Sequence, residues 1–186
     1  MDLSDLPFEL DTIVNAREPL LRVGMDADKR PNRAQAAARV LAPPERVWQV
    51  VSDVERYAGR VPMMDKVTLR DEMATVGLKF RIAVFSAKFS FKARARSEAG
   101  RMLELSHVEG EPRDLVLRFD VLPVEDPAQS VLVAGIGFDI SSLGWLVKFF
   151  LKHHPEIQYG VFPGSALTLV DTLRREAELA FVPGSA

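Results

Sequence analysis

Residues 38–62, ARVLAPPERVWQVVSDVERYAGRVP, hold a short apolar run, a proline pair and an amphipathic stretch in that order. The Pro43-Pro44 pair ends whatever precedes it. Pro44 suits a first helical turn, where its missing N–H is no loss, and Glu45 sits near the positive end of the helix dipole. Val47, Trp48, Val50, Val51 and Val54 then crowd one broad face, which predicts an amphipathic helix. Asp53 is placed to cap a second short turn through VERYAG, closed by Gly59 and Pro62. Upstream, AQAAARVLA from Ala34 is compatible with helix or strand, because Ala favours helix.

Downstream the period changes to two. In KFSFKARAR, Phe89, Phe91, Ala93 and Ala95 alternate with Lys88, Ser90, Lys92, Arg94 and Arg96, the pattern of a strand with one dry and one wet face. The preceding LKFRIAVF puts Phe80, Ile82 and Val84 on one side, and a link around Ser86-Ala87 makes the two a hairpin. RMLELSHV, DLVLRFDVL and SVLVAGIGFDI follow, separated by Ala99-Gly100, Gly110-Glu111-Pro112 and the segment from Pro123 to Pro127. Leu103, Leu105 and His107 share a face, as do Leu115, Leu117, Phe119 and Val121. With DKVTLRD around Val67 and Leu69, about six strands follow the first helices and one precedes them.

The remainder is helical. SSLGWLVKFFLKHH, capped by Ser141 or Ser142, stops at Pro155, with Leu143, Leu146, Val147, Phe150 and Leu151 at helical spacing and Trp145 and Phe149 widening the arc. The stretch from Pro155 to Pro163 reads as a break. A last helix then starts at Pro163 with Ser165 as cap candidate and a stripe of Leu169, Val170, Leu173, Ala177 and Phe181. Residues 1–33 read as an N-terminal extension that packs on a domain spanning 34–182, with 183–186 as a tail. In the extension, Ser4 or Asp5 caps a short helix carrying Leu10, Ile13, Val14 and Leu21, which Pro19 interrupts, and DADKRPNR reads as a linker.

Composition narrows the function classes. The chain has 186 residues, 47% of them hydrophobic, and 24 Lys+Arg against 26 Asp+Glu. A domain of this size buries about 70% of its unfolded surface, so it needs no staple. It has no Cys, which excludes disulfides, thiolate metal sites and a Cys nucleophile. A net charge of −2 argues against a nucleic-acid partner, and the basic stripe Lys88, Lys92, Arg94 and Arg96 lacks interleaved aromatics on its own face. The opening MDLSDLPFELD carries four acids and no base, the wrong sign for a secretory or mitochondrial leader, so the cytoplasm is the expected location. No apolar run approaches the roughly 18 residues of a membrane span.

One strand, two short helices, six antiparallel strands and a long C-terminal helix is an α+β order, with helices segregated from the sheet. In that order, ARVLAPPERVWQVVSDVERYAGRVP, the alternating strands and the segments LGWLVKFFLKHHPEIQYG and TLRREAE resemble the START-like (SRPBCC) superfamily over about residues 34–181. Its polyketide cyclase/dehydrase and coenzyme Q-binding branches are the most similar. The resemblance implies a helix-grip fold: a curved antiparallel sheet of about seven strands wrapped around the C-terminal helix. It also implies a cavity between them for a hydrophobic or amphipathic small molecule such as a lipid, polyketide, quinone or aromatic metabolite. A cyclase/aromatase using the same cavity, or a protein-interaction module, stays open beside simple binding.

The candidate ligand-binding walls are Phe80, Ile82, Val84, Phe89, Phe91, Leu103, Leu105, Leu115, Leu117 and Phe119, each of which serves a packed core equally well. His107 shares their face and is a candidate for orienting a ligand oxygen or moving a proton. It reads more readily as a hydrogen-bonded histidine at a strand end. Asp139 is a weaker catalytic candidate and Tyr159 a weaker binding candidate, both with turn or cap roles as the alternative. His153-His154 with Glu156 tempts a metal reading, but adjacent imidazoles diverge on a helix, and no metal or cofactor is expected. Gly135-Ile136-Gly137 lacks the context of a dinucleotide fingerprint and instead suits a close approach to the strand or a bulge. The LGWLVKFFLK helix fits a lid, a core helix or peripheral membrane contact. Oligomeric state is not legible.

Overall fold

The computed structural model describes residues 2–62, 64–82, 85–154, 156 and 158–179, with the side chains of 80–82, 85–87, 145, 146 and 150 excepted. Val84 and Phe181 therefore lie outside the described residues, as do the side chains of Phe80 and Ile82.

The elements run α1 (Leu10–Asn15), β1 (Leu20–Met25), β2 (Pro31–Val40), α2 (Pro44–Ser52), a 3-10 turn (Val54–Tyr57), β3 (Met64–Arg70), β4 (Met73–Ile82), β5 (Phe85–Glu98), β6 (Met102–Gly110), β7 (Arg113–Pro123), β8 (Ser130–Asp139), a second 3-10 turn (Ile140–Ser142), α3 (Gly144–His153) and α4 (Gln158–Leu179). The strands form one sheet in the order β1-β2-β8-β7-β6-β5-β4-β3, antiparallel at every junction. The sheet is curved, and α4 packs across β2 and β8 within its concave side, which is the helix-grip arrangement.

Among the described residues there are eight strands where the sequence suggested about seven. The additional one is β1, from the stretch assigned to an extension. Leu21 thus pairs in a strand with Ala36 rather than continuing the α1 stripe. The segment read as a linker is the hairpin turn that brings β1 to β2. Asp26 Oδ1 accepts from the backbone N–H of Asp28 and of Arg30, and Lys29 takes a left-handed φ of 59°. Polar, Pro-containing composition marks a linker and a tight turn alike, and strand pairing on either side decides between them.

Period-two readings hold in the interior. Phe91 and Ala93 are buried while Lys92, Arg94 and Arg96 are exposed, and Leu115, Leu117, Phe119 and Val121 are all at most 2% exposed. The β4–β5 link is earlier than the sequence suggested: Ile82 pairs with Phe85, and Ser86 and Ala87 already sit inside β5. Helix α2 starts at Pro44 as expected and buries Val47 and Val51. Asp53 makes no side-chain cap and instead pairs with Arg56 at 2.8 Å. Ahead of α3, the capping oxygen belongs to Asp139, whose side chain accepts from the Ser141 N–H. Ser142 Oγ accepts from the Arg113 N–H and donates to the Asp139 carbonyl, tying β7 to the end of β8.

Helix α4 begins at Gln158 and runs through Pro163. A proline inside a helix forfeits one backbone bond, here the one to the Tyr159 carbonyl, while burial of Phe162, Ala166, Leu169, Val170, Leu173 and Ala177 against the sheet outweighs it.

The convex side of the sheet is covered too. Ile13 of α1 packs with Ala37, Val131 and Val133, flanked by Phe8, Leu10, Val14, Leu20, Leu122 and Val124. Gln35, fully buried on this side, donates through Nε2 to the carbonyls of Leu3 (3.0 Å) and Asp5 (2.9 Å). Gly135 makes room: a Cβ there would stand 3.2 Å from Leu3 Cδ2. Strand β8 is therefore buried on both faces from Ser130 to Gly137, which explains its run of small and apolar residues.

Candidate functional site: an apolar cavity under the C-terminal helices

Between the concave sheet and the two C-terminal helices lies a cavity of about 140 Å³. Strands supply Met64 and Leu78 from β3 and β4, Phe89 and Phe91 from β5, Leu115 and Leu117 from β7, and Ile136 and Phe138 from β8. Leu143, just before α3, lines it together with Val147 and Leu151 of that helix, each four residues from the last and hence on one stripe. Val161, Ser165, Thr168 and Leu169 come from α4; Val61, Pro62, Pro112 and Ile140 complete the lining.

Two hydroxyls, Ser165 and Thr168, are the polar side chains among the described lining residues, none of which is titratable. They stand three residues apart on α4, on one face. Such a chamber rewards apolar area and a single aligned oxygen, and it penalises charge, which none of the described lining residues can pair. Its volume suits a small aromatic molecule, and drug-sized pockets of about 300–1,000 Å³ are larger.

A larger cleft of about 810 Å³ opens on the convex side and is lined by Arg33, Glu104, Arg118, Asp139 and the first residues of the chain. Its chemistry is self-satisfied. Arg118 holds Asp120 at 2.9 Å and Glu104 at 3.2 Å, and these bonds hold its guanidinium above its ordinary range despite partial burial. Asp139 Oδ2 lies 3.3 Å from Arg113, and its Oδ1 accepts from Ser141. In the cleft Arg118, Glu104 and Asp139 are engaged in ion pairs, whereas the smaller cavity is walled almost entirely by apolar side chains.

Of the residues singled out by alternation, Phe89, Phe91, Leu115 and Leu117 line the cavity. Leu103, Leu105 and Phe119 belong instead to the packed core, with the Phe119 ring edge-on to Tyr57 at 5.9 Å. They share the face but are buried in the core cluster that also holds Val47, Val51, Val170 and Leu173. His107 is half-buried at an irregularity of the β5–β6 ladder, its Nε2 3.0 Å from the Gly110 carbonyl, and it is not in the lining. Asp139 is engaged as a cap, and Tyr159 is 56% exposed. His154 Nδ1 meets Glu156 at 3.0 Å while His153 Nδ1 lies 2.9 Å from the Phe149 carbonyl, so the adjacent rings diverge. Among the described residues no group of three or more His, Asp or Glu is placed to hold a metal ion.

Strand alternation missed the lining from β3, β4, β8 and both C-terminal helices. The Leu143, Val147 and Leu151 stripe was visible as helical spacing. Nothing in spacing says that it faces a void. Ser165, read as a cap, is within α4 because that helix starts earlier.

A family model described as polyketide cyclase / dehydrase and lipid transport matches residues 40–155. Among solved structures, the ZhuI aromatase/cyclase from Streptomyces sp. R1128 superposes with a TM-score of 0.63 at 17% identity, covering 90% of this chain and 99% of that one. A START superfamily protein from Mycobacterium smegmatis gives 0.60 at 15% identity over 81% and 99% of the two chains. A protein from Thermus thermophilus gives 0.62 at 13% over 80% and 98%. Identities this low speak for a shared fold. Among curated proteins no sequence matches the chain significantly.

Proposed function

Because the chain belongs to the polyketide cyclase / dehydrase and lipid transport family, we propose that it binds an uncharged, largely hydrophobic small molecule in the cavity beneath α3 and α4. The carrying observation is the lining: apolar throughout, with Ser165 and Thr168 as paired hydroxyls on one face of α4. Burying one aromatic ring removes about 150–250 Å² from water, a gross gain of about 4–6 kcal/mol at about 25 cal/mol per Å². One hydroxyl contact then fixes which end points inward, at a net value of about 1 kcal/mol. A ligand with a longer chain extends past α3, whose inner stripe is the cavity's outer wall.

The cyclase reading draws on the Streptomyces aromatase/cyclase, whose fold this chain shares. Cyclisation gains from holding a reactive chain folded, but its proton transfers need an acid or base at the site. The described lining offers neither, and His107 is turned to a backbone carbonyl. Binding without turnover is therefore the better-supported reading.

The test uses naphthol, a neutral fluorescent probe of rings and one oxygen, together with mass spectrometry of a solvent extract of the purified protein. Val161→Trp, at a half-buried lining position early in α4, fills the space. The expected result is saturable naphthol binding that weakens at least about tenfold in the variant, with the thermal midpoint retained. No binding by the parent together with an empty extract, or equal binding by parent and variant, refutes the proposal.

A further inference from the structure

Helix α3 has two faces of different character. Val147 and Leu151 point into the cavity, while Lys148, Phe149, Lys152 and His153 are exposed, Phe149 at 53%. Position 149 is nearly opposite position 147 on a helix, so the aromatic ring stands at the crest of the outer face, its centroid 4.4 Å from that of the His153 ring with the two planes inclined at 41°. Between Asp139 and Glu156 the sequence carries no acid but two lysines and two histidines, within a chain whose net charge is −2. Two acids flank the helix among the described residues: Glu156, which meets His154 at 3.0 Å just past the helix, and Glu111, whose Oε2 approaches Gly144 at the other end.

An exposed aromatic between two lysines on an acid-free helix is suited to a surface that is negative above and apolar beneath. The lysine stems lie along the interface with their ammonium groups outward, and the ring enters the headgroup boundary. A bilayer demands no shape match, which a single helical turn of contacts cannot offer to a folded partner. We propose that the outer face of α3 docks on an anionic phospholipid bilayer, holding the cavity's α3 wall against the lipid surface. Docking itself needs only the outer face. The corollary, that a hydrophobic ligand passes between bilayer and cavity behind α3, rests on the binding function proposed above.

The experiment is co-sedimentation of the full chain with phosphatidylglycerol vesicles and with phosphatidylcholine vesicles, at about 0.1 M and about 0.5 M salt. The expected result is partition onto phosphatidylglycerol only, declining at the higher salt. Each lysine contributes about fivefold, so Lys148→Ala with Lys152→Ala lowers partition about 25-fold, and Phe149→Ser lowers it further. All three side chains are exposed, and naphthol binding in solution reports separately that the cavity is intact. Equal partition onto both vesicle types, no partition onto either, or no response to the lysine pair overturns the proposal. A dimer abolished by Phe149→Ser, with no vesicle binding, assigns the face to self-association and overturns it as well. Loss of naphthol binding with retained vesicle binding instead refutes the ligand proposal and leaves docking standing.

Discussion

Replacing Gly110 by Ala tests the link between backbone geometry and the cavity wall. Gly110 closes β6 opposite Phe91 with φ at 94°, and an ideal Cβ there would stand 2.3 Å from the Ser90 carbonyl oxygen and 2.8 Å from Phe91 Cα. Both obstacles are backbone, so no side chain can swing aside. Gly100, in the β5–β6 turn, supplies the control: its φ is 77°, but a Cβ would meet nothing within 4 Å. Gly100→Ala therefore carries the left-handed penalty alone, about 1–2 kcal/mol. Gly110→Ala adds a steric collision at the upper end of the roughly 1–3 kcal/mol seen for overpacked sites, for a total of about 4–5 kcal/mol. The collision also pushes on Phe91, which lines the cavity, so naphthol affinity falls in Gly110→Ala and holds in Gly100→Ala. Urea unfolding of both variants measures the difference. If the two lose the same stability within about 0.5 kcal/mol, the close approach of β6 to β5 at this point is not as described and the reasoning fails.

Gln35→Ala removes the two hydrogen bonds that hold Leu3 and Asp5 to the sheet. It should cost about 1–3 kcal/mol in urea unfolding, and amide hydrogen exchange should accelerate over residues 2–16 while β6 stays protected. Tyr57 is buried and donates its hydroxyl to the Val51 carbonyl; burial first, and the Asp53 charge second, push its phenol above the ordinary value of 10.0. Above pH 10 the unfolded chain releases this proton and the folded chain keeps it, so stability falls as pH rises, by up to about 1.4 kcal/mol per unit. Tyr57→Phe should cost about 1 kcal/mol at neutral pH and flatten the alkaline decline. Parallel slopes for parent and variant above pH 10 would contradict the burial.

How far the chain could be interpreted from residues alone depended on which physical signal each part carries. Strands with one wet face announce themselves, because Lys92, Arg94 and Arg96 must alternate with Phe91 and Ala93. Strand β8 hides its alternation since both sides are dry, and β1 hid because it is short and borders Pro19 and a polar turn. Pro163 misled in the opposite direction. A proline weakens a helix locally, but burial of Phe162 and Ala166 is a tertiary gain that no local reading contains. The cavity follows the same rule. Alternation placed Leu105, Leu117 and Phe119 on one face, yet whether a given residue on that face meets another side chain or empty space depends on where α2, α3 and α4 lie across the sheet.

The covering of β8 by the chain's own beginning has a practical corollary. Shortened versions that start after α1 would carry a greasy back made of Ala37, Leu122, Val131 and Val133, a strip suited to sticking to its own kind. Any trimmed form made for crystallisation should therefore be designed with polar replacements on that strip, or it will be studied as an aggregate.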